Sequence, residues 1–169
     1  PTAAGVRYPQ NGFILTCRHL FRQQPGHVVK VRIPGRQQRV DAKLLGLGKG
    51  YDVATLYFEA DEGQDYAPIN DVSETPCGNS LWQFGYPSGH RGQDGPHHRQ
   101  GIMQTEGVSG YSRISSGLRS GDSGGGVFRS SDGLLVGVGV WGSGGYVSTY
   151  QCGVICNETC WPLLKKLLP

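Results

Sequence analysis

Turn signals cut the apolar runs of this chain short from residue 3 to residue 155, and that rhythm limits what it can fold into. Ala3–Tyr8 ends at Pro9-Gln10-Asn11-Gly12, and Phe13–Thr16 follows at once. Asn-Gly between two such runs is a hairpin signal, because both residues tolerate the positive φ that a tight turn demands. Val28–Ile33 alternates before Pro34-Gly35, Arg39–Leu47 supplies the next run, and Asp52–Phe58 another. Residues 59–76 are acidic, polar and proline-containing, which marks a boundary between two halves. Beyond it lie Ser80–Gly85, Gln100–Val108, Tyr111–Ile114, Val127-Phe128, Leu134–Trp141 and Tyr146–Ile155. Only the end carries a helical pattern: Asn157 can cap it, Glu158 lies in its first turn, and Trp161, Leu163, Leu164, Leu167 and Leu168 form an apolar face. Many short strands with almost no helix predict an all-β barrel or sandwich.

Composition removes several function classes. The 169 residues include 28 glycines and 10 prolines without a collagen period, so the chain reads as turn-rich and folded. A net charge of +3, spread along the chain, gives no basic patch for nucleic acid. No apolar run reaches the roughly 18 residues of a membrane span. The start at Pro1-Thr2-Ala3-Ala4 has no initiator methionine and no signal-peptide pattern, so a processed or excised piece of a larger parent chain is expected, with other domains as partners. The five cysteines, Cys17, Cys77, Cys152, Cys156 and Cys160, leave at least one unpaired within the chain. Their spacing lacks the C-x-x-C of zinc sites and no histidine lies near the last three, so no metal is expected. The compartment stays open, with the odd count leaning to a reducing, intracellular one.

The chemistry concentrates in Gly121-Asp122-Ser123-Gly124-Gly125-Gly126. A serine hydroxyl needs a base within hydrogen-bond reach before it becomes nucleophilic, and histidine has the right pKa to take and return its proton. A carboxylate must then fix the imidazole tautomer. Ser123, His19 in Leu15-Thr16-Cys17-Arg18-His19, and Asp52 in Tyr51-Asp52-Val53-Ala54 supply those parts. The backbone amides of Gly121 and Ser123 can point into one small space, as an oxyanion hole requires, and a side chain at Gly121 would crowd it. Taken singly, each has a plainer explanation. Ser123 could occupy a structural turn, His19 could be a satisfied semi-buried histidine, and Asp52 could merely start a strand.

Together these motifs resemble those of the trypsin-like (chymotrypsin-fold, S1-type) serine proteases. Ile14–His19 resembles the family's histidine motif and Tyr51–Leu56 its aspartate motif. Gly121–Gly126 resembles its nucleophile motif, with Gly126 where proline is usual. Val140-Trp141-Gly142 resembles the segment that pairs with substrate backbone. The short gaps between motifs, and Gly85-Tyr86-Pro87, are similar to compact bacterial or HtrA-like members. The resemblance implies two six-stranded Greek-key β-barrels, residues 1–73 and 74–169, with a C-terminal helix. It also implies a serine endopeptidase acting on polypeptides through an acyl-enzyme, without a cofactor. Gly117, Leu118, Arg119 and Ser120 would line the specificity pocket with Val140, Trp141 and Gly142. A silent peptide-binding pseudoprotease and an esterase with the same triad are the alternatives.

Three departures refine the expectation. Cys17 stands two positions before the histidine, where the family's usual histidine-loop disulfide cannot be assumed. The start lacks the Ile-Val-Gly-Gly that inserts beside the aspartate before the serine in activated members, so Asp122 needs an internal donor, an arginine or a backbone amide. Gly117 occupies the pocket-base position that is acidic in trypsin, which disfavours cleavage after Arg or Lys and favours a small or apolar P1 residue. His90, His97 and His98, with Arg91 and Arg99, are expected in a solvated loop spanning Ser88–Gln100.

Overall fold

The computed structural model describes residues 6–8, 12–33, 36–48, 52–59, 76–87, 96–108, 111–140 and 150–153. Among them are eleven strands, β1 (Val6–Tyr8), β2 (Phe13–Thr16), β3 (Val28–Val31), β4 (Val40–Leu47), β5 (Ala54–Tyr57), β6 (Ser80–Gly85), β7 (His97–Val108), β8 (Tyr111–Ile114), β9 (Gly126–Arg129), β10 (Leu135–Gly139) and β11 (Tyr150–Gly153). A single 3-10 turn, Arg18–Leu20, follows β2. No α-helix occurs among the described residues. The helix expected at 157–168 lies outside them.

Two antiparallel sheets divide the chain at the polar stretch the sequence marked. The first has five strands in the order β1-β2-β5-β4-β3. Each apolar run before residue 59 becomes one strand, so the described residues yield five strands in an open sheet, not the six of the expected barrel. The second sheet closes as β10-β11-β8-β7-β6-β9. Burial follows the pleat. In β6, Leu81, Gln83 and Gly85 are buried while Ser80 is exposed and Trp82 and Phe84 are half-buried. All four residues of β2 are buried, as suits a strand covered on both faces. The first core gathers Ile14, Ile33, Ala42, Leu44, Leu56 and Phe58, and the second Leu81, Met103, Ile114, Val127 and Val136.

One sequence boundary moves in a way that matters. Residues 97–99, expected in a loop, begin β7, where Gly85, Phe84 and Gln83 face His97, His98 and Arg99. The cause is a period-2 split of their side chains. The His98 ring lies 5.4 Å from that of Trp82 and 6.1 Å from that of Phe84. Arg99 reaches instead to the loop before β9. His90 and Arg91 lie outside the described residues.

Close backbone approach fixes the entry to β9. A Cβ at Gly125 would overlap the Phe84 carbonyl oxygen, a backbone atom that cannot swing aside. Gly133, in the turn before β10, has φ +71° and open space around its Cα. Gly125→Ala should therefore cost more than about 3 kcal/mol, beyond the usual range for overpacking. Gly133→Ala should cost only the left-handed backbone penalty of about 1 kcal/mol. Urea unfolding of both variants beside the parent measures the difference, and equal midpoints for the two would contradict the steric account.

Candidate active site

β2 and β5 are paired with Thr16 opposite Ala54, so whatever follows β2 meets whatever precedes β5. His19 sits in the 3-10 turn after β2, and Asp52 lies two residues before β5. The Asp52 carboxylate takes the turn with both oxygens. Oδ1 accepts the His19 backbone amide at 2.7 Å, and Oδ2 lies 2.5 Å from His19 Nδ1. An ionised carboxylate can only accept, so the imidazole proton belongs on Nδ1 and the Nε2 lone pair is left as a base. The side chain of His19 is 41% exposed and that of Asp52 19%. The pair can exchange protons with an incoming group while its orientation stays fixed.

Ser123 is 7% exposed, in the loop between β8 and β9. Gly121 at φ 96° and Gly124 at φ 84° bracket it in left-handed backbone that side chains resist. Asp122 N donates to Arg119 O and Gly125 N to Asp122 O, both at 2.9 Å, which coils the segment tightly. Among the described residues, neither the Gly121 nor the Ser123 amide donates to a backbone carbonyl.

One carbonyl joins the two halves of the site. Gly139 O, at the end of β10, accepts the Gly124 amide at 2.7 Å and the Cys17 thiol at 3.0 Å. Cys17 precedes the histidine turn and Gly124 follows the serine, so a single acceptor ties the two sheets together beside the candidate residues. Burial raises the Tyr86 phenol pKa, and the Arg32 guanidinium from the first half offsets part of that rise.

Asp122 finds the internal donors that the sequence required. Its carboxylate is 1% exposed, and Oδ2 accepts Arg99 Nη2 at 2.7 Å and the Arg119 amide at 2.8 Å. Arg99 also donates through Nη1 to Gly117 O at 2.6 Å. Oδ1 has no hydrogen-bond partner among the described residues and lies where a side chain at Gly85 would sit. The rest of the loop is held by serines. Ser115 Oγ accepts the Ile102 amide at 2.9 Å, and Ser116 Oγ donates to the buried Gln83 Oε1 at 2.7 Å.

The expected pocket residues separate on inspection. Leu118 is fully buried, and its side chain would crowd a Cβ at Gly139. Arg119 contributes its amide to Asp122, and its side chain, like Ser120, is exposed. Gly117 is half-buried with φ 67°, and Val140 is buried. Trp141 and Gly142 lie outside the described residues. Sequence reasoning did not single out Arg99 or Gly139. Extending the period-2 pattern three residues back from Gln100 would have turned Arg99 inward. No sequence signal marks Gly139, because its role is a backbone oxygen.

Among the described residues, one group of side chains could hold a cation: Cys17, His19 and Asp52, whose ligand atoms lie within 4.8 Å of one another. Cys17 is a buried thiol and Cys77 an exposed one, and neither is in a disulfide among the described residues. The other cysteines, at 152, 156 and 160, have no described side chain.

Arg99 is the main counter-charge of a buried carboxylate. Truncating one partner of such a pair strands the other, at roughly 3–5 kcal/mol. Arg99→Ala should lose that much in urea unfolding, and adding Asp122→Asn should recover part of it. A single variant as stable as the parent would show that the guanidinium does not hold Asp122.

Comparison with known proteins agrees with this geometry. Residues 3–138 match the family model of the trypsin-like peptidase domain. The probable membrane transporter protein MamO of Paramagnetospirillum magneticum is 28% identical over 153 residues, covering 85% of this chain and 23% of that protein. A serine endoprotease from Yersinia pestis superposes with a TM-score of 0.74 at 21% identity, over 98% of this chain and 57% of the other. The HtrA-type protease AlgW with tripeptide superposes at 0.76 and 17% identity, over 98% and 55%. The chain thus spans little more than half of these structures and under a quarter of MamO. With most of its length matched by the family model, the chain belongs to the trypsin-like peptidase family.

Proposed function

We propose that the chain is a serine endopeptidase domain in which Ser123 attacks the peptide carbonyl, His19 serves as base and then acid, and Asp52 orients it. The observation that carries this reading is the double hold of Asp52 on His19, at the backbone amide and at Nδ1. That hold leaves Nε2 as the acceptor for the serine proton. As the Ser123 Oγ–carbon bond forms, the proton passes to Nε2 and the imidazolium is stabilised by the Asp52 carboxylate. The amides of Gly121 and Ser123 receive the oxyanion, a contribution of about 3 kcal/mol per donor. Collapse breaks the C–N bond, and Nε2–H returns its proton to the leaving amine. Water then repeats the sequence on the acyl-enzyme and frees the acid. Residues 1–73 and 74–169 act as two lobes of one catalytic unit, which works within a longer parent chain.

Specificity follows from what stands at the pocket base. Gly117 carries no charge of its own, and the Arg99 guanidinium already occupies its carbonyl. A buried Arg or Lys at P1 would find no anion there, because Asp122 is committed to Arg99. With no anion to meet a cationic side chain, small or apolar P1 residues are preferred.

A fluorophosphonate probe and a P1-varied peptide library test both statements. The probe should label the parent chain and not Ser123→Ala, whose turnover should fall by several orders of magnitude. Asp52→Asn should lower kcat by about 10⁴ through the wrong tautomer. An unlabelled parent chain would point to a silent binding module, ester-only turnover to an esterase, and strong preference for P1 Arg would overturn the pocket reading. Acetylating the N-terminal amine should leave activity within twofold, since Arg99 holds Asp122 from inside the fold.

A further inference from the structure

We propose that Cys17, His19 and Asp52 together bind one thiophilic divalent cation, Zn²⁺ or Cd²⁺, and that the bound ion switches the domain off. The switching rests on the protease reading above; the binding does not. The three donor atoms, Sγ, an imidazole nitrogen and a carboxylate oxygen, lie within 4.8 Å of one another. Tetrahedral bonds of about 2.0–2.3 Å place ligand atoms roughly 3.3–3.8 Å apart, so the cluster is of the right size. Closing on an ion requires the 2.5 Å contact between Nδ1 and Oδ2 to open by roughly 1 Å, a small turn of a half-exposed ring. A mixed sulfur, nitrogen and oxygen set suits zinc or cadmium and not the hard cations magnesium and calcium. Three protein ligands with a fourth position left to water is a recurrent open zinc arrangement.

The framework is fixed. Cys17 and His19 flank Arg18 after β2, and Asp52 comes from the segment that leads into β5, the strand paired with β2. The thiol lies fully buried behind the two more exposed partners. An ion would therefore enter from the His19 side and reach the sulfur last.

The proton balance explains the silencing. The Cys17 thiol loses its proton to solvent on binding the metal. The imidazole stays neutral, and its proton shifts from Nδ1, now bound to the ion, to Nε2. The atom that should accept the Ser123 proton then carries one already. The thiolate also abandons Gly139 O, which loosens the link between the histidine and serine segments. Removing the ion with a chelator reverses each step.

The test uses the whole chain with its thiols reduced, Zn²⁺ or Cd²⁺ as the probe, and Cys17→Ser, Cys17→Ala and Cys77→Ser as variants. In the parent and in Cys77→Ser, equimolar Zn²⁺ should lower fluorophosphonate labelling at least tenfold, and EDTA should restore it. In the two Cys17 variants the ratio of labelling with and without Zn²⁺ should stay within twofold. Cd²⁺ titration should show a thiolate charge-transfer band that loses one thiolate's amplitude in both Cys17 variants. Histidine ¹⁵N NMR of the parent chain should show one imidazole exchanging its protonated nitrogen when Zn²⁺ is added, a readout that needs no variant to fold. Equal silencing of parent and Cys17 variants, a Cd²⁺ band independent of Cys17, or an unchanged imidazole would overturn the proposal. A Cys17-dependent band in a chain that the probe never labels would support the ion site while defeating the protease reading.

Discussion

A carboxylate buried without water needs a partner, and the Asp122 carboxylate organises the loop around that need. It is almost wholly enclosed and carries its charge between Arg99 and the Arg119 amide. Arg99 meets it from the face of β7 opposite His98 and pins Gly117 through the same guanidinium. It also fixes the backbone immediately before Ser123. The glycines follow from this placement. Gly85 leaves room for the carboxylate, and Gly125 lets β9 pass against Phe84. The free energy spent on enclosing the charge is recovered as a fixed position for the Ser123 backbone.

The first sheet solves a different problem with the same economy. His19 follows β2 and Asp52 precedes β5, and these strands are direct neighbours, so the β2–β5 register brings the two residues together. The segment before this pair is also tied to the loop that carries Ser123 in the second half. Gly139 O makes that tie with two bonds, from Cys17 and from Gly124. A thiol is a weak donor, so Cys17 adds modest strength. The residue is also fully buried, with Sγ within 4.8 Å of a His19 ring nitrogen.

The fold and the pair were legible in the sequence to different depths. Strand existence followed from runs such as Phe13–Thr16 and Ser80–Gly85, because alternation and turn residues act locally. The sixth strand of the first barrel had no run of its own behind it, and the described residues give five. His97–Arg99 read as loop because three polar residues in a row carry no hydrophobic alternation. Their strand is instead set by tertiary partners, the Trp82 and Phe84 rings on one side and Asp122 on the other. That Asp122 would take an internal donor was legible, since a buried carboxylate needs a partner. Its identity was not, because it depends on which way a side chain points from β7.

Cys17 shows how a position can serve structure and still expose function to interference. A small buried residue behind the imidazole is enough for packing, and the thiol meets that demand while donating to Gly139. Sulfur also brings a soft ligand within reach of a nitrogen and a carboxylate that are both partly exposed. Alanine at this position would pack but could neither donate nor ligate, and serine would donate but hold a soft cation poorly. The three side chains are all small and differ chiefly in hydrogen bonding and in metal affinity. The residue that closes the link between the two sheets is therefore also the one through which an ion could open it.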